Sequence, residues 1–188
     1  MVSMMNLGHA PVATWGLKFL HLSPDTKVLD CGCGGGANIK RLLKNCPQGI
    51  VEGIDYSEIS VEKARKLNQR AIRDGRCTVC QGSVAQMGFT DASFDVVTAF
   101  ETVYFWQDLP KCFQEVYRVL KPGGTFLICN ESNGDTNKDK KWTDIIGGMT
   151  IYKDTELKAY LEQAGFNDIQ IHKTKSWLCV TGRKHHQH

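Results

Sequence analysis

Short apolar runs alternate with longer amphipathic segments along most of the chain. Each run is bounded by polar or turn residues and has the length of a strand buried in a sheet. The segments between them repeat apolar residues every three or four positions, which is typical of helices packed on one face. The pattern predicts strands at about 27–30, 50–55, 76–81, 94–100 and 125–130, and helices at about 10–22, 37–45, 57–74 and 108–120.

The C-terminal part repeats this alternation after one interruption. Residues 131–149 are polar and glycine-rich, and we interpret them as a mobile loop with room for a small lid. A helix over about 154–164 and two strands near 167–173 and 176–182 follow, and the two strands form a hairpin. Alternating strands and helices favour a parallel sheet covered on both faces. The predicted fold class is therefore α/β: a Rossmann-like three-layer sandwich with a mostly parallel seven-stranded sheet and a C-terminal antiparallel hairpin.

Composition narrows the class of protein. The 188 residues carry a net charge of +3 and 41% hydrophobic residues, which predicts one domain and no nucleic-acid partner. Without an apolar run of about 18 residues or a signal peptide, we expect no membrane partner. Eight cysteines in an α/β pattern indicate a reducing, cytoplasmic location. We predict no metal site, because Cys31 and Cys33 lie in a loop, while Cys77 and Cys80 point to unlike faces of a strand.

A glycine-rich turn between the first predicted strand and helix indicates a cofactor site. The run Val28–Ala37 contains Asp30, Gly32, Gly34 and Gly36. Glycines let a ligand approach the backbone closely, and the free N–H groups that begin a helix favour a polar or anionic group. The spacing Gly32-x-Gly34-x-x-Ala37 also satisfies a dinucleotide fingerprint. Asp30 argues against a dinucleotide, because a carboxylate there repels a pyrophosphate and suits a cationic ligand with an amino group.

A second acid follows about 20 residues after the glycines. Asp55 closes the second predicted strand, where a carboxylate can accept hydrogen bonds from both hydroxyls of a ribose. Tyr56 follows and can lie against a flat base. The two acids and the glycines therefore predict a ribosyl cofactor that carries a positive charge.

These motifs, together with Leu120–Phe126 before the fifth strand, resemble the class I S-adenosylmethionine-dependent methyltransferases, in particular the small-molecule, type 11-like members. The resemblance covers about residues 26–182 and implies S-adenosylmethionine as cofactor. The resemblance implies that Asp30 lies near the methionine part of the cofactor and that Gly32, Gly34 and Gly36 pack against the cofactor. It also implies that Asp55 accepts hydrogen bonds from the ribose hydroxyls. The family usually has an acid where Ser83 stands, so the Ser83 hydroxyl or the Val84 N–H is expected to bind the adenine.

The end of the fourth strand is expected to face the methyl donor, because ligands of such sheets bind outside the carboxyl ends of the strands. We predict Phe100 and Glu101 as neighbours of the cofactor and Tyr104 as a candidate catalytic residue. His9 is a second candidate, because its ordinary pKa near neutrality suits a general base.

The resulting hypothesis is a single domain, 1–188, that transfers a methyl group from S-adenosylmethionine to a small-molecule acceptor by in-line displacement. Within it, 1–24 form an N-terminal lid and helix, 26–130 the cofactor-binding core, 131–153 a substrate-side loop, and 154–182 the last helix and hairpin. Two alternatives stay open: an NAD(P)-dependent reductase, although only Tyr117 and Lys121 give a Tyr-x-x-x-Lys spacing, and a non-catalytic S-adenosylmethionine-binding protein.

Overall fold

A computed structural model describes residues 10–186, within which seven strands form one sheet. The strands are β1 (Lys27–Cys31), β2 (Ile50–Asp55), β3 (Cys77–Gln81), β4 (Phe94–Phe100), β5 (Leu120–Asn130), β6 (Asn167–Thr174) and β7 (Trp177–Arg183). Their spatial order is β3-β2-β1-β4-β5-β7-β6. Neighbours from β3 to β5 pair in parallel, whereas β7 is antiparallel to both β5 and β6. The predicted mostly parallel sheet with an antiparallel C-terminal hairpin is confirmed.

Helices cover both faces of the sheet. They are α1 (Ala10–Leu17), α2 (Ala37–Asn45), α3 (Glu58–Leu67), α4 (Gln69–Arg73), α5 (Leu109–Val119), α6 (Asn137–Ile145) and α7 (Asp154–Ala164), with a 3-10 turn at Val103–Phe105. Successive strand residues point to opposite faces. Buried side chains of α1, α2 and α3 join clusters on one face, and those of α5 and α7 join the largest cluster on the other. The three predicted layers are present.

The helix α5 shows how the sequence specifies its own packing. Leu109, Cys112, Phe113 and Val116 recur at helical spacing and are all buried against the sheet and α7. The Asp108 side chain begins the helix by accepting a hydrogen bond from the N–H of Lys111 at 3.2 Å. The helix predicted at about 108–120 is thus found within one residue at each end.

Two predicted helices differ in the structure: one is shorter than predicted and one is divided in two. The first ends at Leu17, whereas the periodicity predicted a helix to about residue 22. The segment predicted as one helix over 57–74 divides into α3 and α4 at Asn68. The buried Asn68 amide donates to the carbonyls of Ala64 and Gly36, each at 3.0 Å. The break therefore follows from a side chain that competes with the helix backbone and connects it to the glycine loop.

Two predictions for irregular segments are corrected. Residues 121–124, predicted as a turn before a strand, belong to β5, because Gly123 donates to Lys184 O and Lys184 donates to Gly124 O, both at 2.9 Å. The loop predicted at 131–149 contains α6. The buried Asp139 carboxylate accepts hydrogen bonds from the N–H groups of Gly134 and Thr136 and fixes its first turn.

Candidate active site

The glycine-rich loop lies at the edge of the sheet where the parallel strands end. It connects β1 to α2, and the N–H groups of Gly32 and Cys33 donate to Ile54 O at 2.8 and 3.1 Å, which fastens the loop to β2. Gly32, Gly34 and Gly36 have φ angles of +68°, +51° and +83°. Other residues rarely adopt this left-handed region, so the path of the loop itself explains why glycines stand here.

The three glycines differ in what a side chain would meet. A Cβ on Gly32 would lie 2.7 Å from the Cβ of Thr102, and one on Gly36 would lie 2.8 Å from the Cα of Ala64. A Cβ on Gly34 would meet nothing within 4 Å. The first and third glycines are therefore required by protein packing. The second opens onto space at the carboxyl ends of the strands, which fits close approach of a cofactor.

Asp55 ends β2 directly beside this open glycine. Its carboxylate accepts hydrogen bonds from the N–H of Gly34 at 2.8 Å and of Ser57 at 2.9 Å, and the residue is only 8% exposed. A carboxylate can accept about four hydrogen bonds, so two backbone donors leave acceptor capacity for ribose hydroxyls. The structure thus brings Asp55 and the loop together as the sequence implied, and it adds a role for Asp55 in shaping the loop.

Asp30 is buried on the same face of the sheet. The hydroxyl of Thr98 donates to Asp30 Oδ1 at 2.7 Å, and the aspartate is 1% exposed. Burial, together with the negative charge of Asp55, raises the pKa of Asp30 to about 7, although the Thr98 hydrogen bond lowers it. A cation nearby would stabilise the charged form. The Asp30 carboxylate therefore fits the positively charged amino-acid part of S-adenosylmethionine.

The residues predicted to bind the adenine lie around the rim. Tyr56 is 78% exposed, and its carbonyl accepts a hydrogen bond from Gln81 Nε2 at 3.0 Å. Ser83 is exposed with its hydroxyl accepting from the N–H of Ala85 at 3.2 Å, whereas Val84 is buried. All three follow the carboxyl ends of β2 and β3, next to the loop. Their contacts with the adenine stay a prediction.

Glu101 and Tyr104 form a hydrogen-bonded wall beyond β4. Glu101 has a φ of +56°, a strained conformation for a residue with a side chain. Its carboxylate accepts from the N–H of Glu131 and from the Tyr104 hydroxyl, which in turn accepts from the N–H of Ser132 at 3.0 Å. Burial, with the charge of Glu101, raises the pKa of Tyr104 well above its ordinary value. Tyr104 therefore stays protonated and is suited to donate a hydrogen bond rather than to act as a base.

The other two predicted residues are placed differently. Phe100 is 6% exposed and packs beneath α1 with Val12 and Cys129, so its side chain belongs to the core behind the site. His9 lies outside the described residues. Neither the cofactor contact of Phe100 nor the catalytic role of His9 is tested, and both remain predictions.

Sequence reasoning missed several polar residues of the site. Thr98 could have been found from the sequence, because its side chain carries a hydroxyl in a largely apolar strand. Thr102 had none: its hydroxyl accepts from Trp106 Nε1 at 3.2 Å, and its side chain faces Gly32. Asn130 ends β5 and is fully buried, yet neither atom of its amide has a hydrogen-bond partner among the described residues.

A large cavity lies elsewhere. It measures about 800 Å³ and is lined by residues near the amino-terminal ends of the parallel strands, including Thr26, Asp95 and Lys121. Because the glycine loop and both acids lie at the opposite ends of those strands, we assign this cavity no part in the site.

Comparison with known proteins identifies the domain. A family model described as a methyltransferase domain matches residues 22–177. The chain is 32% identical over 159 residues to cycloartenol-C-24-methyltransferase of Arabidopsis thaliana, covering 80% of this chain and 47% of that protein. It is 37% identical over 109 residues to squalene methyltransferase 1 of Botryococcus braunii, covering 58% and 29%. The chain thus spans less than half the length of these curated relatives.

Solved structures share the fold. The methyltransferase in a complex with the Haloferax volcanii Trm112 methyltransferase activator gives a TM-score of 0.86 at 22% identity, covering 98% of this chain and 94% of that one. Phosphoethanolamine N-methyltransferase 2 of Haemonchus contortus, in complex with S-adenosyl-L-methionine, gives 0.78 at 17% identity, covering 97% and 52%. The reductase alternative is wrong, because the matched family model is a methyltransferase domain. The chain belongs to the class I S-adenosylmethionine-dependent methyltransferases, with S-adenosylmethionine as its cofactor.

Proposed function

We propose that this chain transfers a methyl group from S-adenosylmethionine to a carbon atom of a small apolar acceptor. The observation that carries the methyl transfer is the pair of buried acids, Asp30 and Asp55, at the strand ends that the glycine loop follows, with the open Gly34 bound to Asp55. The apolar acceptor is supported by relatives named as methyltransferases of cycloartenol, squalene and botryococcene.

The chain's own residues bind and orient in this reaction. When bound, the cofactor would supply an electrophilic methyl group on its sulfonium. A double-bond electron pair of the acceptor carbon would form the new C–C bond while the C–S bond breaks with its electron pair left on sulfur, and the acceptor would then release a proton. Asp30 neutralises positive charge, Asp55 accepts from the ribose, and the Glu101–Tyr104 wall is held against Ser132 to align the acceptor. Such positioning can account for much of the rate, because alignment replaces a random encounter.

The placement of the remaining segments supports the rest of the proposal. Residues 131–153 act as the substrate-side loop, since Thr150 N donates to Tyr104 O at 2.8 Å. The lid predicted within 1–24 lies partly outside the described residues and stays a prediction. All eight cysteines are free thiols, which supports a cytoplasmic location.

The direct test is transfer of a radiolabelled methyl group from S-adenosylmethionine to three separate acceptors: cycloartenol, squalene and, as a polar control, phosphoethanolamine. We expect label in the hexane-extractable product with cycloartenol or squalene, and equal amounts of S-adenosylhomocysteine. Tyr104→Phe should lower the rate while leaving cofactor affinity within about twofold. Label on phosphoethanolamine alone would overturn the apolar acceptor. Cofactor binding without transfer to any acceptor would support the non-catalytic alternative.

A further inference from the structure

The helix α6 exposes an apolar face beside the candidate active site. Trp142, Ile145 and Ile146 are 50%, 62% and 36% exposed. Their spacing of three and four positions places them on one side of the helix and its C-terminal cap. None of the three belongs to a buried cluster of the described residues. An exposed tryptophan with two isoleucines on a short helix is a surface that gains free energy when it is covered.

What holds α6 in place is polar and lies at its ends. The buried Asp139 carboxylate fixes the first turn through the N–H groups of Gly134 and Thr136. After the helix, Thr150 N donates to Tyr104 O at 2.8 Å. The segment before the helix meets the same tyrosine, because Ser132 N donates to its hydroxyl at 3.0 Å. Both ends of the α6 segment therefore lead to Tyr104, while the apolar face points away from the core.

The exposed charges of α6 carry a small positive excess. The sequence of α6 contains three lysines and two aspartates. One of the aspartates, Asp139, is buried and engaged by backbone donors, which leaves Asp144 as the exposed acid against the exposed Lys140 and Lys141. Apolar and aromatic residues flanked by lysines are the composition of helices that lie in the headgroup region of a bilayer with anionic lipids.

A second copy of the chain fits this face less well. A stable protein interface buries about 800 Å² on each partner, which three side chains on a nine-residue helix do not supply. A bilayer has no such minimum, because each apolar side chain that enters it contributes separately.

We propose that α6, with Ile146, docks this domain on the surface of an anionic lipid bilayer. Docking there would place the Tyr104 side of the site at the bilayer surface, where an apolar acceptor is dissolved; this delivery step rests on the proposed function, whereas the docking does not. Surface docking needs no spanning segment, and none of the described helices is long and apolar enough to cross a membrane. The prediction of no membrane partner came from the lack of such a segment.

The test is co-sedimentation of the full chain, without cofactor or acceptor, with vesicles of phosphatidylcholine alone or mixed with phosphatidylglycerol. We expect binding to the mixed vesicles, and at least a tenfold loss of affinity in Trp142→Ala/Ile145→Ala. Lys140→Glu/Lys141→Glu should lose about tenfold on the mixed vesicles. The matched control is Ile59→Ala, which removes an isoleucine that is 63% exposed on α3 and should change nothing.

Tryptophan fluorescence gives a second readout. The emission of the wild-type chain should shift to shorter wavelength on mixed vesicles, and Trp142→Phe should keep binding but lose most of the shift. Absence of binding to either vesicle, or binding that the α6 variants leave unchanged, would overturn the proposal. Concentration-dependent dimers abolished by Trp142→Ala/Ile145→Ala would assign the face to a second copy instead. Because no methyl transfer is measured, these outcomes are separate from the fate of the proposed function.

Discussion

At the scale of one residue, a substitution of Gly34 can distinguish the effect of backbone strain on stability from the effect of a lost cofactor contact on affinity. Its φ is +51° and a Cβ there meets no protein atom within 4 Å. We therefore expect Gly34→Ala to lower the free energy of unfolding by about 1 kcal/mol, the cost of placing a side chain at positive φ. Affinity for S-adenosylhomocysteine, measured by calorimetric titration, should fall at least tenfold, because the new methyl group occupies the space of the cofactor.

The chain contains a matched control for this variant. Gly75, in the turn between α4 and β3, has a φ of +73° and equally open surroundings, but it lies away from the loop. Gly75→Ala should cause the same loss of stability with unchanged affinity. Equal affinity in the Gly34 and Gly75 variants would show that the cofactor does not lie against Gly34.

Asp30 predicts a pH dependence of cofactor binding. With a pKa of about 7, the carboxyl group is largely protonated below pH 7. Because only the ionised carboxylate attracts a cationic ligand, binding below pH 7 must release that proton. Affinity for S-adenosylmethionine should rise with pH up to about 7 and then level off, by at most about tenfold per pH unit. Calorimetry at pH 6 in buffers of different ionisation enthalpy should detect proton release, and Asp30→Asn should abolish it. A flat profile for the wild-type chain would contradict this assignment.

The same shift affects the ligand-free protein in the opposite direction. Because the pKa of Asp30 is raised from 3.8 in the unfolded chain to about 7, the unfolded state loses its proton first as pH rises. The contribution of this group to the free energy of unfolding therefore decreases between about pH 4 and 7.

At the residue scale, the site residues that could be predicted from the sequence are those whose residue type is unusual for the predicted strand or helix around them. Asp30, Asp55 and the glycines break an apolar or helical pattern, so they were visible. Asn68 and Thr102 were not, because each meets a distant residue of the glycine loop, Gly36 and Gly32 respectively, and the packing of whole elements brings them together. Asn130 looked like an ordinary polar strand end, and only the structure shows that its amide is buried without a partner.

At the scale of elements, Arg118 of α5 fastens the connection between β3 and β4 that carries Ser83 and Val84. Its guanidinium donates to Phe89 O at 2.7 Å and Met87 O at 3.0 Å and pairs with Asp91 and Glu115. We expect Arg118→Met to lower the free energy of unfolding by about 1–3 kcal/mol, because several hydrogen bonds to a charged group are lost. Amide hydrogen exchange in 82–93 should also accelerate.

Arg70 provides the comparison. Its side chain is 91% exposed and is 4.0 Å from Asp74, a geometry that contributes little in water. Arg70→Met should change stability by less than about 0.5 kcal/mol. Similar losses in both variants would mean that the Arg118 contacts do not hold the connection.

Elements were predictable where one strong pattern covers the whole segment, as in α5 and β4. Their ends were not, because local and long-range contacts compete there. Gly123 and Gly124 have the composition of a turn, yet the chain after β7 supplies hydrogen bonds that draw them into β5. The helix α6 escaped prediction because few of its residues with described side chains are buried, so the amphipathic signal of a core-facing helix is weak.

For the whole molecule, alternating strands and helices predicted a mostly parallel sheet, and the position of the site followed from that prediction. Parallel strands bring their carboxyl ends to one edge, so Asp30, Asp55 and Glu101 had to meet there. The surface of the segment after β5 could not be predicted from the sequence, because packing in the core does not determine which side chains that segment exposes.

A ligand that joins the ends of β1, β2 and β4 should stabilise the molecule as a unit. At a concentration 100 times its Kd, S-adenosylhomocysteine should add about 2.7 kcal/mol to the free energy of unfolding. For a chain of 188 residues this raises Tm by about 5–10 °C in differential scanning calorimetry. NADH at the same concentration should leave Tm unchanged, since Asp30 repels a pyrophosphate. Gly75→Ala should lower Tm but keep the full shift, and Gly34→Ala, with at least tenfold weaker binding, should lose about half of it or more. An equal shift with NADH would mean that the loop accepts nucleotides without regard to charge, and the assignment of Asp30 would fail.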